Sequence, residues 1–261
     1  MHGLGNDFVF VDRANLPTEF SVSEIVSFIA KRRVGIGCDQ FILYKDNGLS
    51  IDMNIFNADG SVAKACGNAT RCLAYFYGKK NNVKEVIVSV EGRNLLCNLI
   101  DKNNVSVNMG IASFNEDWMP TYENLLKELS PYLSSSAETL CVDVGNPHLV
   151  IIDQNFTKED MKLLGQKFEK SHLFRFGINI NFATILNNVI NLRVWERGAG
   201  LTYACGSGAC ASFAAAHKLE FVSDSAIVKF ELGSLNMDFL KDGILMSGPV
   251  SFVAEGIFYY E

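Results

Sequence analysis

The chain has 261 residues, 48% hydrophobic and 20% charged, which is enough apolar material for packed cores and too much for a disordered chain. A formal net charge of −6 gives no general attraction to nucleic acid or to an anionic membrane, since both select clustered Lys and Arg, so neither partner is expected. No apolar run approaches the roughly 18 residues of a membrane span, and residues 1–5 lack the basic flank and apolar run of a signal peptide, so a cytoplasmic protein is expected.

In chain order, Gly3-Leu4-Gly5-Asn6-Asp7 precedes a predicted strand over residues 8–11. A dinucleotide loop needs a strand before it and a helix after it, so that reading is rejected. Ser21 and Glu24 have the spacing of a capping box and open a predicted helix through about Arg33, where Lys31-Arg32-Arg33 would offset the helix dipole. The glycine-rich turn at residues 35–40 carries Cys38, read as structural. Ile51, Met53 and Ile55 then alternate onto one face of a strand that ends before Asn57. Further strands are predicted over residues 86–90, 94–100, 105–109, 141–144, 148–152, 178–186, 191–195 and 226–232. Helices are predicted near residues 122–133, interrupted by Pro131, and from an N-cap at Thr157 to about Lys170. The stretch from Gly110 to Pro131 loses strand alternation, so the boundary falls there and gives domains of residues 1–112 and 113–250.

An internal repeat decides the architecture. Residues 56–67 align with residues 195–206 at an offset of 139 positions, the separation of Cys66 and Cys205. Ala-Cys-Gly matches outright. In both copies a strand ends in an aromatic, Phe56 or Trp195. A polar glycine-bearing loop follows, then the cysteine, then an apolar helix that reaches Lys79 or Lys218. Two related domains are implied, each offering one cysteine at a helix start.

A cysteine at a helix N-terminus sits beside unpaired N–H groups and the positive end of the dipole, which favour its thiolate. Gly67-Asn68 and Gly206-Ser207 follow, with small side chains that leave the turn amides open to a carboxylate. Two such starts supply a base for one face of an α-carbon and an acid for the other, which is what cofactor-free stereoinversion requires. Seven cysteines without an export signal do not suggest a disulfide framework. The spacings Cys66-x5-Cys72 and Cys205-x4-Cys210 do not match a zinc site, so no metal is expected. Cys72 and Cys210 are read as core thiols. His148, after the turn Gly145-Asn146-Pro147, is either a hydrogen-bonded structural residue or part of the site. His172 and His217 are read as surface residues, and Glu196-Arg197 alone would be a solvated ion pair.

Taken together, residues 2–8, 35–40, 57–60, 66–68, 145–148, 177–182, 196–198 and 204–208 resemble the diaminopimelate epimerase family over nearly the whole chain. The resemblance implies an α+β fold of two pseudo-symmetric domains, each a β-barrel-like sheet around a central helix, with the active site in the cleft between them. It also implies a C-terminal strand over about residues 251–261 that completes the first domain. It implies a cofactor-independent isomerase that interconverts LL-2,6-diaminopimelate and meso-diaminopimelate in lysine and peptidoglycan precursor synthesis, with Cys66 and Cys205 as the two bases. Asn6, Gln40, Asn57, Gly67, Asn68, Asn146, Asn179, Glu196, Arg197, Gly206 and Ser207 would bind substrate, and His148 and Glu196 would tune the thiols. No cofactor is expected, and a homodimer is. Histidine racemases, proline racemases and hydroxyproline epimerases share the two-cysteine plan; Asn179 and Glu196-Arg197 argue instead for a substrate with a second amino-acid end.

Overall fold

The computed structural model describes residues 1–16, 19, 21–63, 65–153 and 156–259; Lys64, part of the aligned repeat, lies outside them. The chain divides into two compact units, Met1–Asn108 with Ser247–Glu261, and Met109–Met246. Among the described residues no helix is long and apolar enough to cross a membrane.

The first unit opens with β1 (His2–Gly3) and β2 (Asn6–Asp12), joined by a tight turn in which Leu4 and Gly5 both take positive φ. Helix α1 (Val22–Ile29) starts on the expected capping box, with Ser21 and Glu24 exchanging side-chain to backbone hydrogen bonds. It ends at Ile29, short of the expected Arg33. The amides of Gly37 and Cys38 fold back onto the carbonyls of Ile29 and Ala30, and a Cβ on Gly35 would lie 2.3 Å from the Phe28 carbonyl oxygen. Lys31-Arg32-Arg33 therefore does not close the helix. Arg32 instead forks onto Asp7 at 2.8 Å and reaches Asp39 at 2.6 Å, tying the glycine turn to β2.

The chain continues through β3 (Gln40–Asp46), β4 (Ile51–Asn57), β5 (Val62–Ala63), α2 (Gly67–Asn81), β6 (Glu85–Val90), β7 (Arg93–Leu99) and β8 (Asn104–Asn108). The strand order is β1-β2-β3-β4-β6-β7-β8, with β5 on β4; β2/β3 and β4/β6 are parallel pairs. β3 is absent from the strands expected by alternation because Phe41, Ile42 and Leu43 are all buried, so it reads as an unbroken apolar run.

The second unit carries α3 (Tyr122–Leu129), β9 (Glu138–Asp143), β10 (Pro147–Ile152), α4 (Lys158–Phe168), β11 (Asn179–Leu186), β12 (Val189–Glu196), β13 (Gly200–Thr202), α5 (Gly206–Lys218), β14 (Ser225–Phe230), β15 (Gly233–Leu240) and β16 (Gly243–Pro249). Pro131 ends α3 at Leu129 by opening a 3-10 turn at Ser130–Tyr132. Thr157 caps α4 through a capping box with Asp160. Here β10/β11 and β12/β14 are parallel, β11/β12 and β14/β15 antiparallel, and β13 hangs on β12 as β5 hangs on β4. The two units thus share one pairing plan, which is the repeat expressed as topology.

At the heart of each unit is one helix. Helix α5 is buried on nearly every side and packs against β9, β10, β11, β12, β14 and β15; α2 does the same with β1, β2, β6, β7 and β8. Helix α5, apolar on nearly every side, belongs inside a sheet that wraps it, whereas α2 also buries Asn68, Thr70 and Arg71. Helices α3 and α4 cover the other face of β10 and β11, where Leu125, Leu129, Leu164 and Phe168 meet Leu149, Ile151, Ile180 and Phe182.

The return to the first unit differs from the sequence expectation. It begins at Ser247, inside β16; past that strand the Val250 amide donates to the Asn103 carbonyl at 2.9 Å, and Ser251 pairs with His2 through two hydrogen bonds of 2.9 and 3.0 Å. Residues 252–259 form no strand, because the two-residue β1 offers no further edge; Tyr260 and Glu261, the end of the strand expected over 251–261, lie outside the described residues.

Candidate active site

In the first unit, Cys66 is the N-cap of α2 in extended conformation, and its side chain does not cap the helix. The first intrahelical bond runs from the Thr70 amide to the Cys66 carbonyl, so α2 itself makes no use of the amides of Gly67, Asn68 and Ala69. The Cys66 thiol donates to Asn6 Oδ1 at 3.7 Å, and Asn68 Nδ2 donates to the same oxygen at 3.3 Å. Asn68 is buried, and Arg71 Nη2 donates to its Oδ1 at 2.8 Å, which fixes the amide's orientation. Gln40 lies opposite Asn57 across β3/β4 and donates to Asn57 Oδ1 at 3.1 Å. Gln40 Oε1 is buried without a partner among the described residues, an acceptor suited to an ammonium group. The starts of β2 and β3 and the end of β4 thus bring Asn6, Gln40 and Asn57 to one end of this sheet.

The second unit repeats the plan with different chemistry. Cys205 is the extended N-cap of α5, and the first intrahelical bond is again from the fourth residue on, Ala209. At the repeat offset, Gln40 becomes Asn179, Asn57 becomes Glu196 and Asn68 becomes Ser207. The Cys205 thiol donates to Glu196 Oε2 at 3.2 Å and lies 3.5 Å from Ser207 Oγ; Thr202 Oγ1 donates to the other Glu196 oxygen. Asn146 Nδ2 donates to Ser207 Oγ at 3.4 Å. Asn179 donates to the Pro147 carbonyl at 2.9 Å and accepts the Arg197 amide at 3.0 Å.

The protonation of Cys205 departs from the helix-dipole expectation. Burial, and then the Glu196 carboxylate beside it, pushes the thiol well above its ordinary value of 9.0, against smaller opposing help from Ser207 and the Gly208 amide. In the ligand-free site Cys205 is a thiol. Cys38, Cys72, Cys97 and Cys141 are pushed up to between about 11 and about 12, in each case chiefly by burial, as expected of core thiols.

A family model described as diaminopimelate epimerase matches residues 1–115 and 140–253. The diaminopimelate epimerase of Rickettsia bellii (strain OSU 85-389) is 49% identical over 261 residues, covering 100% of this chain and 97% of that one. The chain belongs to the diaminopimelate epimerase family. Its activity is accordingly that of an isomerase, a diaminopimelate epimerase of lysine biosynthesis. Two solved structures share the fold at low identity. One from Pseudomonas aeruginosa, described as a predicted epimerase, has a TM-score of 0.73 at 13% identity, covering 98% of this chain and 94% of that one. A phenazine biosynthesis protein of the PhzF family from Bacillus anthracis has a TM-score of 0.70 at 14% identity, covering 95% and 92%.

His148, Glu196 and Arg197 have surroundings that local sequence did not specify. His148 does not hydrogen-bond to Cys205: its Nε2 lies 3.1 Å from Asn146 Oδ1 and its Nδ1 3.0 Å from Asn181 Nδ2. Burial, helped by the Arg197 charge, brings its pKa down to about 3, so the ring is neutral. The Glu196 carboxylate faces Cys205 and Thr202, while Arg197 Nη1 donates to the Phe176 carbonyl at 2.7 Å.

The sequence reading also missed Asn181, Thr202 and Glu169. The Glu169 carboxylate accepts from Trp195 Nε1 at 2.8 Å and from the Gly198 amide at 3.0 Å, pinning the loop that carries Arg197. Only Asn181 left a trace, as a polar residue within the apolar run of β11. Among the described residues, no three His, Cys, Asp or Glu side chains are grouped to hold a metal ion.

Proposed function

We propose that the chain interconverts LL-2,6-diaminopimelate and meso-diaminopimelate by a two-base mechanism carried by Cys66 and Cys205, without a cofactor. The observation that carries this reading is the pair of cysteine-headed helix starts related by the repeat, one thiol held by a carboxylate and its counterpart beside an amide. Burial, and with it the Glu196 carboxylate, keeps Cys205 protonated, which suits it to act as the acid. Its counterpart, Asn57, puts no carboxylate at the equivalent place in the first unit, so Cys66 is assigned as the base in the LL direction.

In that direction the Cα–H bond breaks as a Cys66 S–H bond forms, and the electron pair spreads into the carboxylate. The amides of Gly67-Asn68 and Gly206-Ser207 receive this charge. The Cys205 S–H proton then passes to the opposite face of the α-carbon. The roles reverse in the other direction. Asn6, Gln40, Asn57, Asn146, Asn179 and Arg197 complete the binding set; Arg197, turned from the Phe176 carbonyl, has the planar fork suited to a second carboxylate. Homodimerisation, a cytoplasmic location and a role in peptidoglycan precursor supply complete the reading on the strength of the resemblance, and sedimentation equilibrium checks the first.

Cys66→Ser and Cys205→Ser variants test the mechanism. A serine hydroxyl is a far weaker acid and base near neutral pH, so each variant should lose on the order of 10²–10⁴ in kcat for epimerisation. A folded Cys205→Ser protein with undiminished turnover would refute the two-thiol assignment.

A further inference from the structure

His148 and Asn181 are both fully buried, a costly place for two polar side chains, and Asn181 Oδ1 has no hydrogen-bond partner among the described residues. The repeat sharpens the question. The position of Asn181 corresponds to Ile42 in the first unit, and the position of His148, set opposite Asn179 in β10/β11, corresponds to Phe8, set opposite Gln40 in β2/β3. The first unit fills the same places with buried apolar side chains, so the fold does not require polar ones there.

The hydrogen bonds run in one direction. Asn181 Nδ2 donates to the Leu149 carbonyl at 3.1 Å, which fixes which end of the amide is nitrogen, and the same nitrogen meets His148 Nδ1 at 3.0 Å. Nδ1 must therefore accept, so the ring proton resides on Nε2. Nε2–H then donates to Asn146 Oδ1, which turns the Asn146 NH2 toward Ser207 Oγ, 3.5 Å from the Cys205 sulfur. Gly208 at the start of α5 leaves room for this chain: a Cβ there would lie 2.6 Å from Asn181 Oδ1.

We infer that Asn181 is a positioning residue that locks His148 in its neutral Nε2–H tautomer, so that His148 serves as a fixed hydrogen-bond donor orienting Asn146 and Ser207 at Cys205. The inference rests on the two-thiol reading for its catalytic consequence, but the tautomer can be read without any reaction.

The test is nitrogen-15 NMR of the histidine rings in the full-length protein, with His148 assigned among the four histidines by its loss in a His148→Gln variant. The expected wild-type spectrum shows His148 protonated on Nε2 alone. Asn181→Asp puts an acceptor at Nδ1 and should draw a proton onto it. Asn181→Leu, close in size, should leave a mixture of tautomers and lower kcat/KM by about tenfold, the scale of one oriented hydrogen bond. A wild-type ring protonated on Nδ1 would overturn the inference, whether or not the variants fold. So would an Asn181→Leu enzyme with mixed tautomers and full kcat/KM. An Nε2–H ring in an enzyme that exchanges no α-hydrogen would leave the tautomer lock standing and sink the two-thiol reading instead.

Discussion

Gly208 and Ala69 occupy the same place in the two copies, three residues after Cys205 and Cys66. A Cβ on Gly208 would press on Asn181 Oδ1 at 2.6 Å and Val194 Cγ2 at 3.0 Å, and neither is the loose end of a long chain. Gly208→Ala should therefore cost about 1–3 kcal/mol of stability through overpacking and reduce turnover at least tenfold by displacing the Asn181–His148 pair. In contrast, Ala69→Gly should cost only about 1 kcal/mol of helix stability and leave turnover near wild type. Thermal melts and epimerisation kinetics on both variants check the contrast; equal losses of turnover would show that the asymmetry at Asn181 carries no function.

At the scale of elements, the loop after β12 is held from outside the site. Helix α4 docks through Gly165, where a Cβ would lie 2.2 Å from the Trp195 ring, and its C-cap Glu169 grips Trp195 and the Gly198 amide. Glu169→Ala should raise KM for diaminopimelate several-fold with less effect on kcat, because the loop presenting Arg197 loses two hydrogen bonds, each worth about 1 kcal/mol. Removing the helix cap alone, by Thr157→Ala, should cost about 1 kcal/mol of stability and spare KM. This is also where the sequence was informative and where it was not. The Ser21–Glu24 capping box, the Thr157 N-cap, most of the alternating strands and the cysteine-headed helices were legible, because each is a local pattern; β15 and β16 were not among the expected strands. Strand β3 was hidden by burial on both faces, the end of α1 by a glycine turn that folds back onto it, and Glu169 by the distance in sequence between it and the loop it holds.

At the scale of the molecule, buried titratable groups set the pH range of stability. The His148 pKa falls from 6.5 to about 3, so the unfolded chain takes up a proton that the folded one refuses; stability is present above pH 6.5 and is lost as pH falls toward 3. Cys38, Cys72, Cys97 and Cys141 are raised instead, so their contribution is present below pH 9 and is lost as pH climbs toward 11 and 12; Cys205, also raised, acts in the same direction. Urea midpoints should be level between about pH 8 and 9 and fall on both sides, the Met1 amino group, lowered from 8.0 chiefly by burial, joining His148 on the acid side; each fully engaged group adds a slope of about 1.4 kcal/mol per pH unit. The acid-side slope should shrink in His148→Gln. The Asp7 carboxylate adds to that side: burial raises its pKa, but the Arg32 and Asp39 hydrogen bonds bring it below its ordinary value.

The two-thiol account is tested most directly by running the reaction in D2O from LL-diaminopimelate and measuring, at early conversion, deuterium at the α-carbon of product and of recovered substrate. With an acid on the face opposite the base, deuterium should enter meso-diaminopimelate while recovered LL-diaminopimelate stays largely unlabelled. Equal early labelling of both pools would mean that one group serves both faces, and it would contradict the pairing of Cys66 with Cys205.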